Sequence, residues 1–431
     1  MKTIVNPNRD RWDDLCLRPG INLDELEREV ASLLDRVKKG GLESVRQLTR
    51  HFDGYLPIPL EVEEEKIAAA ESSLPAGLKD SILMAAENIR KFHSSQIREP
   101  EIIDTSEGVK CWLRDVPIES AGLYIPGGTA PLFSTVLMLA IPARIAGCRE
   151  VSICTPANRE GDVDPAVLYT AKVCGVKNIY RIGGVQAIGA MAYGVSPVPK
   201  ADKIFGPGNQ YVTMAKQLVS RQGVAIDMPA GPSEVLVMAD ESADPVFVAA
   251  DLVSQAEHGA DSQVVLLCTS EKLLATVNTG IDEILETLPR ADIASKALAN
   301  SLGIVMKNTS DMLEFSNLYA PEHLIISLQK SGEIADKVTN AGSVFIGNYS
   351  PESAGDYASG TNHTLPTNAF ARSYSGLNLQ SFMKTIQFQE LTPDGISGIG
   401  NDIMNMARAE GLEGHSLAVE LRLKRLKDGK I

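Results

Sequence analysis

The pattern of hydrophobic and polar positions along the chain changes near Gly122. Before it, apolar positions recur at helical spacing, as in LDELEREVASLLDRVKKGGLESVRQLTRHF over 23–52. The first hundred residues are therefore expected to be mostly helical. After it, short apolar runs alternate with segments of helix length. This alternation predicts parallel βαβ units, since parallel strands need a long crossover, which is usually a helix.

The alternation falls into two series, separated by the turn PAGPSE. In the first series the predicted strands are 151–156, 178–184, 203–209 and 223–228, and the predicted helices are 132–146, 165–174, 186–193 and 210–221. In the second series the predicted strands are 235–239, 263–268, 303–307, 323–327 and 343–347. Two α/β modules in series, with a seam near 228–233, are the architecture this pattern predicts.

Two segments follow the second series. Residues 348–378 are polar and show no clear period, and a loop of this length in a compact protein is usually functional or disordered. Its aromatic and apolar residues favour function. The last forty residues are expected to form two helices, and their basic end complements the helix dipole.

Composition narrows the class of protein. The chain has 431 residues, 44% of them hydrophobic and 22% charged, and a formal net charge of −14. Without a basic cluster, this acidic balance argues against nucleic acid or an anionic membrane as partner. We expect no signal peptide, and no apolar run approaches the ~18 residues of a membrane helix. The six cysteines lack CxxC spacing, which predicts reduced thiols in the cytoplasm.

The stretch DLVSQAEHGADS contains the first candidate site. Asp244 and Pro245 form a helix-start signal, and Gly259 stands where a C-cap glycine belongs, so a helix is predicted over 246–258. On it Gln255 and His258 share a face directed away from a predicted apolar stripe of Val246, Ala249, Ala250 and Val253. The pair is either half of a metal site or only a helix end whose histidine complements the dipole, and the motif alone favours the helix end.

Other polar residues provide possible partners. Glu322 precedes the predicted strand 323–327 and His323 begins it. Ligands of α/β folds bind near strand ends, and an adjacent Glu and His can supply two proton-transfer groups. Alone, the pair is more often a solvated turn. Asp356 and His363 lie in the long polar segment. Either the glycines of this segment bring the two side chains together at a site, or the segment is a flexible polar loop. His415 follows Glu410 between the two terminal helices, where a lone histidine is most often a cap.

Two histidines, an aspartate and an amide oxygen would suit zinc, although Gln is an uncommon ligand. A nucleotide signal is weaker. GPGNQY (206–211) follows a predicted strand and opens a predicted helix, but it lacks the third glycine of the GxGxxG fingerprint. A glycine turn at a helix N-terminus can bind a phosphate, or it can be an ordinary turn without a ligand. Spacing alone does not identify NAD as the ligand.

Taken together, the segments resemble the histidinol dehydrogenase family from about Gly122 to the C-terminus. The resemblance rests on GLYIPGGTAPLFSTVLMLAIPARIAGC, IGGVQAIGAMAYG, KIFGPGN, AIDMPAGPSEVLV, DLVSQAEHG, YAPEHL, SPESAGDYASGTNHTLPT and AEGLEGH, in the family's order. It implies an α/β fold of two Rossmann-like parallel-sheet modules, an N-terminal helical segment and a C-terminal helical tail. The implied divisions are an N-terminal arm (1–25), a main domain with the zinc and catalytic residues (26–120 with 233–370), a second domain with the NAD contacts (121–232), and a tail swapped onto a partner (371–431).

The resemblance also implies the roles of individual residues. One zinc per site would be held by Gln255, His258, Asp356 and His415, the last from the partner subunit of a homodimer with shared active sites. The implied catalytic pair is Glu322 and His323. The substrate-binding set comprises these zinc ligands and His323 together with Ser233, His363 and Glu410. The implied NAD contacts are Tyr124, Gln186 and Asn209.

The implied reaction is oxidation of L-histidinol to L-histidine through histidinaldehyde, the last steps of histidine biosynthesis, with one hydride passing to each of two NAD molecules. Zinc would orient the substrate, His323 would be the general base, and Glu322 would activate water. Three alternatives stay open: a related zinc- and NAD-dependent dehydrogenase of another polar alcohol, a zinc hydrolase, and a non-catalytic metal-binding or assembly protein. No functional residue is assigned in the first hundred positions.

Overall fold

The structure, a computed structural model, describes residues 1–18, 23–127, 131–229 and 231–429. Residues 128–130 and 230 belong to the quoted segments GLYIPGGTAPLF and AIDMPAGPSE, and that part of each motif lies outside the described residues. None of the described helices is long and apolar enough to cross a membrane.

The strands and helices are numbered separately in chain order. The strands are β1 (Lys2–Val5), β2 (Ile102–Ser106), β3 (Val109–Pro117), β4 (Ser120–Tyr124), β5 (Glu150–Thr155), β6 (Asn178–Arg181), β7 (Lys203–Phe205), β8 (Ala225–Ile226), β9 (Glu234–Ala239), β10 (Gln263–Cys268), β11 (Leu302–Val305), β12 (His323–Ser327), β13 (Ser343–Ile346) and β14 (Met383–Leu391). The helices are α1 (Trp12–Leu15), α2 (Leu23–Phe52), α3 (Glu64–Ala69), α4 (Ala76–Ser94), α5 (Phe133–Ala146), α6 (Pro165–Val173), α7 (Gly184–Tyr193), α8 (Gln210–Ser220), α9 (Pro245–Ala256), α10 (Glu271–Leu285), α11 (Ala291–Ala299), α12 (Thr309–Tyr319), α13 (Ser331–Ala335), α14 (Glu352–Tyr357), α15 (Pro393–Ala409) and α16 (Glu413–Lys427).

The chain forms two compact units. The first contains Met1–Gln96 and Ile118–Phe382, and the second contains Ile97–Pro117 and Met383–Ile431. These units and the domains implied by the sequence divide the chain on different criteria, so the implied domain boundaries stay predictions.

Two parallel sheets form the centre of the first unit and confirm the predicted α/β fold class. One has the strand order β6-β5-β4-β7-β8, and the other has the order β1-β11-β10-β9-β12-β13. Leaving β1 aside, the first strand of each sheet in chain order is the central one. The next two strands lie on one side of it, and the last two lie on the other side. This is the order of a doubly wound Rossmann-like sheet, whose reversal point leaves a crevice between two neighbouring strands. The strand β1, which the sequence did not predict, extends the second sheet beyond β11.

The second sheet is buried on both faces. Side chains of a strand alternate between faces, so in β9 Val235 and Val237 pack with α9 and α10, whereas Leu236 and Met238 pack with Phe315 of α12. Strands covered on both sides are apolar throughout, which is why short continuous runs located them in the sequence.

The residues predicted to be functional lie at opposite ends of the strands in the two sheets. Tyr124 ends β4 and Asn209 follows β7, so these residues lie at the carboxyl ends on either side of the first sheet's reversal point. Ser233 and Glu322 directly precede β9 and β12, and His323 is the first residue of β12. The predicted catalytic pair therefore lies at the amino ends of the second sheet's neighbouring strands.

The second unit contains an antiparallel sheet in the order β14-β3-β2 and the helix pair α15 and α16. The two predicted terminal helices are confirmed, whereas β14 was not predicted. In α15, Gly400 lies against Val419 and Leu423 of α16, where an added Cβ would approach their methyl groups to 3.0–3.1 Å. The glycine thereby lets the two helices pack closely.

All six cysteines lie among the described residues and are free thiols. Five of them are buried. Burial raises the pKa of Cys148 to about 11 and that of Cys174 to about 12. These two thiols therefore stay protonated and unreactive near neutral pH.

Candidate active site

The predicted catalytic pair is buried at the start of β12. Glu322 and His323 are 6% and 4% exposed. The preceding helix α12 is capped by Ala320, which adopts a left-handed conformation with φ of 51° and turns the chain towards the strand. Two ionisable side chains are thereby placed between β9 and β13, where neither is well solvated.

The main chain of Glu234, the first residue of β9, holds both members of the pair. Its N–H donates to Glu322 Oε2 at 2.8 Å, and its carbonyl oxygen lies 3.1 Å from His323 Nδ1. Because a carbonyl oxygen only accepts, Nδ1 carries the proton in this contact. In the neutral ring Nε2 is then the unprotonated nitrogen, and it has no hydrogen-bond partner among the described residues. Nε2 is therefore available as a base once the imidazolium has lost its Nε2 proton.

A second group of ligand atoms lies beside His323. His258, Glu352 and Asp356 each offer one atom, and these three atoms lie within 4.8 Å of one another. Glu352 and Asp356 are four residues apart on α14, so they occupy one face of that helix. Asp356 Oδ1 is 3.7 Å from His323 Nε2, which joins this group to the catalytic pair.

Sequence reasoning missed Glu352, which is 1% exposed and has a carboxylate oxygen, Oε2, without a hydrogen-bond partner among the described residues. The signal was present in PESAGDY, where two carboxylates stand at i and i+4. The surrounding segment shows no clear hydrophobic period, so periodicity predicted no helix there. Without a predicted helix, the i, i+4 spacing of the two carboxylates could not be interpreted.

The helix α9 differs from its prediction. It ends at Ala256, so His258 lies beyond it, and Glu257 forms the C-cap in place of the predicted glycine. The predicted stripe is wrong at Val246 and Ala250, which are exposed, and the buried face contains Val248, Ala249, Leu252, Val253, Gln255 and Ala256. Gln255 was predicted to lie on the opposite face, but it is fully buried on this one. The buried face of α9 packs against the core along most of its length and faces the candidate site at its C-terminal end.

The amide of Gln255 is satisfied in one orientation. In this orientation its oxygen lies 2.8 Å from the Glu234 nitrogen and shares that N–H with Glu322 Oε2, and its nitrogen donates to Glu352 Oε1. Gln255 thus contacts both the residue that holds the catalytic pair and the carboxylate beside Asp356. Gln255 is fully buried whereas His258 is exposed, so the helix-end interpretation of the histidine and the metal-site interpretation of the pair both stay open.

Electrostatics in the cluster are dominated by buried carboxylates. Burial raises the pKa of Glu322 to about 8, against the opposing effects of His323 and the Glu234 N–H. Burial also raises the pKa of Glu352 well above its ordinary value. For His323, burial disfavours the imidazolium, but Glu352, Glu322 and Asp356 outweigh it and raise the pKa well above the ordinary value. So many acidic groups around one imidazole make a site that attracts positive charge.

The donor set fits zinc. An imidazole and two carboxylates converge just beyond the end of α9 and on one face of α14, and zinc accepts nitrogen and oxygen ligands of these kinds. Glu352 and His323 also present buried polar atoms without hydrogen-bond partners among the described residues. A divalent cation would compensate the repulsion between these carboxylates.

His363 connects the long polar segment to the first module. Its Nδ1 lies 3.0 Å from the carbonyl oxygen of Asp356, and its Nε2 lies 3.2 Å from Thr135 Oγ1 on α5. Burial lowers the pKa of His363, against the opposing effect of Asp356. The ring is therefore neutral at physiological pH, with Nδ1 donating and Nε2 accepting, which fixes its orientation beside the ligand cluster.

The remaining predicted substrate residues lie in different places. Ser233 is partly buried and directly precedes Glu234, whose main chain binds the predicted catalytic pair. Glu410 and His415 belong to the second unit, at the end of α15 and in the first turn of α16, and both are exposed. The first unit thus brings together Ser233, the catalytic pair and three of the four predicted zinc ligands.

A cavity of about 1060 Å³ borders the carboxyl ends of the first sheet, and Tyr124, Gln186 and Asn209 all line it. The Gly184 N–H donates to Tyr124 Oη at 3.1 Å, and Asn209 Oδ1 caps the N-terminus of α8. Gly206 begins the GPGN turn with φ of 124°, and a Cβ there would lie 2.1 Å from the Tyr124 carbonyl oxygen. The turn therefore requires glycine, and the three predicted NAD contacts face a common space.

Asp53, another residue that the sequence did not single out, lies in the wall of this cavity. It accepts a 3.1 Å hydrogen bond from Gln186 Nε2. Burial raises the pKa of Asp53 to about 6, although that hydrogen bond lowers it. The folded protein therefore binds this proton more tightly than the unfolded chain. The associated stability is present below about pH 4 and is lost as the pH rises through about 6.

We expect Asp53→Asn to gain stability relative to the wild type as the pH rises, because the neutral amide removes a buried charge. The melting temperature of the variant minus that of the wild type should increase between pH 4 and 7 and then level off. Calorimetry at several pH values measures it, and Asp80→Asn, at an exposed position on α4, is the matched control. A difference independent of pH would contradict the assignment.

Comparisons with known proteins agree on one family. A family model described as histidinol dehydrogenase matches residues 17–423. A histidinol dehydrogenase of Bacteroides fragilis is 55% identical over 99% of this chain and 100% of the relative, and one of Campylobacter jejuni is 48% identical over 99% and 100%. The crystal structure of histidinol dehydrogenase from Elizabethkingia anophelis superimposes with a TM-score of 0.97, at 53% identity over 99% of both chains.

Proposed function

The chain belongs to the histidinol dehydrogenase family of NAD-dependent oxidoreductases, and from this premise we propose that it oxidises L-histidinol to L-histidine through histidinaldehyde. One observation carries the proposal: the buried pair Glu322 and His323 lies against a cluster of metal-ligating side chains. A proton-transfer pair beside a site for a cation is what oxidation of a metal-oriented alcohol requires.

One zinc ion per site is proposed, held by Gln255, His258, Asp356 and His415. When bound, zinc would hold nitrogen groups of the substrate and orient its carbinol carbon. Glu352 accepts from the amide nitrogen of Gln255 and is proposed to help fix that side chain. Ser233, His363 and Glu410 are proposed to complete the substrate contacts.

In the first oxidation, His323 accepts the hydroxyl proton of the substrate at Nε2 while a hydride leaves the carbinol carbon for NAD. The C–O bond becomes the carbonyl of histidinaldehyde. The Nδ1–H bond to the Glu234 carbonyl holds the ring so that Nε2 faces the substrate site, and it stabilises the imidazolium that forms.

In the second oxidation, Glu322 accepts a proton from water as the oxygen adds to the aldehyde carbon. His323 returns the proton of the first oxidation to the aldehyde oxygen, which gives the neutral hydrate and leaves His323 again a base. The hydrate would then lose a hydride to a second NAD and a proton to His323, which produces the carboxyl group of histidine. Glu322 is buried, so in this position it acts on a bound water rather than on bulk solvent. Tyr124, Gln186 and Asn209 are proposed to hold NAD in the cavity of the first sheet.

The function is tested by mixing the purified protein with L-histidinol and NAD. We expect two NADH per histidinol, measured by absorbance, with histidine as the product. A chelator should abolish turnover and added zinc should restore it. No turnover of histidinol alongside turnover of another polar alcohol would support the related dehydrogenase instead, and hydrolysis without NAD would support the zinc hydrolase.

We further propose a homodimer in which the partner's His415 completes the zinc site. The exposure of His415 on α16 supports this, because an exposed imidazole is available to another chain. Mixed dimers of His415→Ala and His323→Ala subunits should regain a measurable part of the wild-type rate, since one of their two sites would carry neither substitution. Verified heterodimers that stay as inactive as the two parent variants would count against shared sites. A cytoplasmic location and the absence of nucleic-acid or membrane partners stay predictions.

A further inference from the structure

A buried ion pair joins the N-terminal arm to β9. Arg18 Nε and Nη2 each donate to a carboxylate oxygen of Glu234 at 2.9 Å. The two side chains are 11% and 1% exposed. This paired fork is the geometry that an arginine makes with a carboxylate and that a lysine does not reproduce.

Arg18 also holds the turn that leads to the catalytic pair. Its Nη2 donates to the carbonyl oxygen of Tyr319 at 2.7 Å, and its guanidinium carbon lies 3.7 Å from the centre of the Tyr319 ring. Tyr319 is the last residue of α12, three positions before Glu322. One guanidinium therefore contacts both chain segments from which the catalytic geometry is built.

Glu234 is the point where these contacts converge. Its carboxylate accepts from Arg18 and from the Asn368 N–H at 2.9 Å, while its main chain binds Glu322 and His323. Asn368 follows His363 in the long segment. Displacing the Glu234 carboxylate would therefore move the N–H and carbonyl that orient the water-activating acid and the base.

We propose that Arg18 is a positioning residue of the active site, which acts through Glu234 on Glu322 and His323. The N-terminal arm is then part of the catalytic apparatus rather than only a support for the second sheet. This inference rests on the proposed roles of Glu322 and His323. Arg18 does not touch the substrate, so its loss should lower the rate of the chemical steps with little effect on substrate binding.

The main test uses the double variant Arg18→Gln/Glu234→Gln, which removes the ion pair without leaving an unpaired buried charge. We expect a folded protein whose kcat for histidinol falls about 100-fold, in keeping with the effect of misplacing catalytic groups by about 1 Å. The KM for histidinol should change less than threefold. The isotope effect on kcat, with histidinol deuterated at the carbinol carbon, should increase as hydride transfer becomes limiting.

Single variants make the test independent of how the double variant folds. Arg18→Lys keeps the charge but not the fork, and we expect kcat to fall about tenfold. Arg9→Gln is the matched control on the same arm, since it removes an exposed ion pair with Asp311 and Glu314. It should keep wild-type kcat. Melting temperatures measured alongside separate loss of fold from loss of positioning.

The outcomes distinguish this proposal from the function itself. A wild type that does not oxidise histidinol would overturn both. An active wild type together with a folded double variant of unchanged kcat, or with a variant that changes only KM, would overturn the role of Arg18 alone. An equal loss in Arg9→Gln would also overturn it, because the effect would then belong to the arm in general.

Discussion

Replacing His323 by asparagine is expected to lower kcat for histidinol by about 100- to 10,000-fold, the range that a positioned general base contributes. The amide nitrogen of asparagine can still donate to the Glu234 carbonyl, so the start of β12 should stay folded. What disappears is the acceptor at Nε2, which both oxidations need. The loss should therefore appear equally with histidinol and with added histidinaldehyde, measured as NADH formation.

Two comparisons make this result specific. His51→Asn changes an exposed histidine on α2 and should have wild-type kinetics. His363→Asn removes a neutral ring that contacts Asp356 and Thr135, and it should raise KM for histidinol more than it lowers kcat. A His323→Asn enzyme with kcat within tenfold of the wild type would remove His323 from the role of base.

Replacing Glu322 by glutamine is expected to separate the two oxidations. The glutamine oxygen can still accept from the Glu234 N–H, so the side chain keeps its position, but it cannot accept a proton from water. We expect NADH from the first oxidation at close to the wild-type rate and a loss of about 100-fold or more with added histidinaldehyde. The first oxidation in the same variant is the internal control.

The pKa of Glu322 sets the direction in which the rate of aldehyde oxidation should change with pH. The pKa of Glu322 is raised to about 8 by burial, so the group is mainly protonated below that pH and mainly a carboxylate above it. Only the carboxylate accepts a proton, so the wild-type rate with added aldehyde should rise as the pH increases through about 8. Glu322→Gln should lack the part of this rise that belongs to Glu322 and keep only the part that belongs to His323, which the first oxidation of the same variant measures. A variant that oxidises added aldehyde as fast as the wild type would contradict water activation by Glu322.

Local sequence predicted most elements of the two parallel sheets. Strands such as β5 and β10, and helices such as α5 and α8, lie within one or two residues of their predicted positions. Their signals are hydrophobic periods and turn residues, which a window of ten to fifteen residues contains. The strands missed are β1, β2, β3, β4 and β14. Four of them are mostly exposed or half-buried, so their side chains carry little apolar signal, whereas β4 is wholly buried and was missed although it is the central strand of the first sheet.

The candidate site needed more than local pattern. Spacing placed Gln255 near His258 but directed it to the wrong face, since the face of α9 that is buried depends on what packs against it. The resemblance to a family named the partners Asp356 and Glu322. It contained no information about Glu352 or Arg18. Their importance comes from long-range contacts: Glu352 contacts Gln255 across 97 positions of sequence, and Arg18 contacts Glu234 and Tyr319 across 216 and 301 positions.

By itself the sequence determined the α/β class, the two parallel modules, the family and the identities of the residues proposed for chemistry. Only the tertiary structure decided that the amino ends of β9 and β12 form the centre of the site, that His323 keeps Nε2 unpaired, and that the N-terminal arm reaches Glu234. The physical reason is that periodicity is a property of neighbouring residues. Convergence depends instead on strand order and on the burial of distant polar groups, whose unmet hydrogen bonds and charges select their partners.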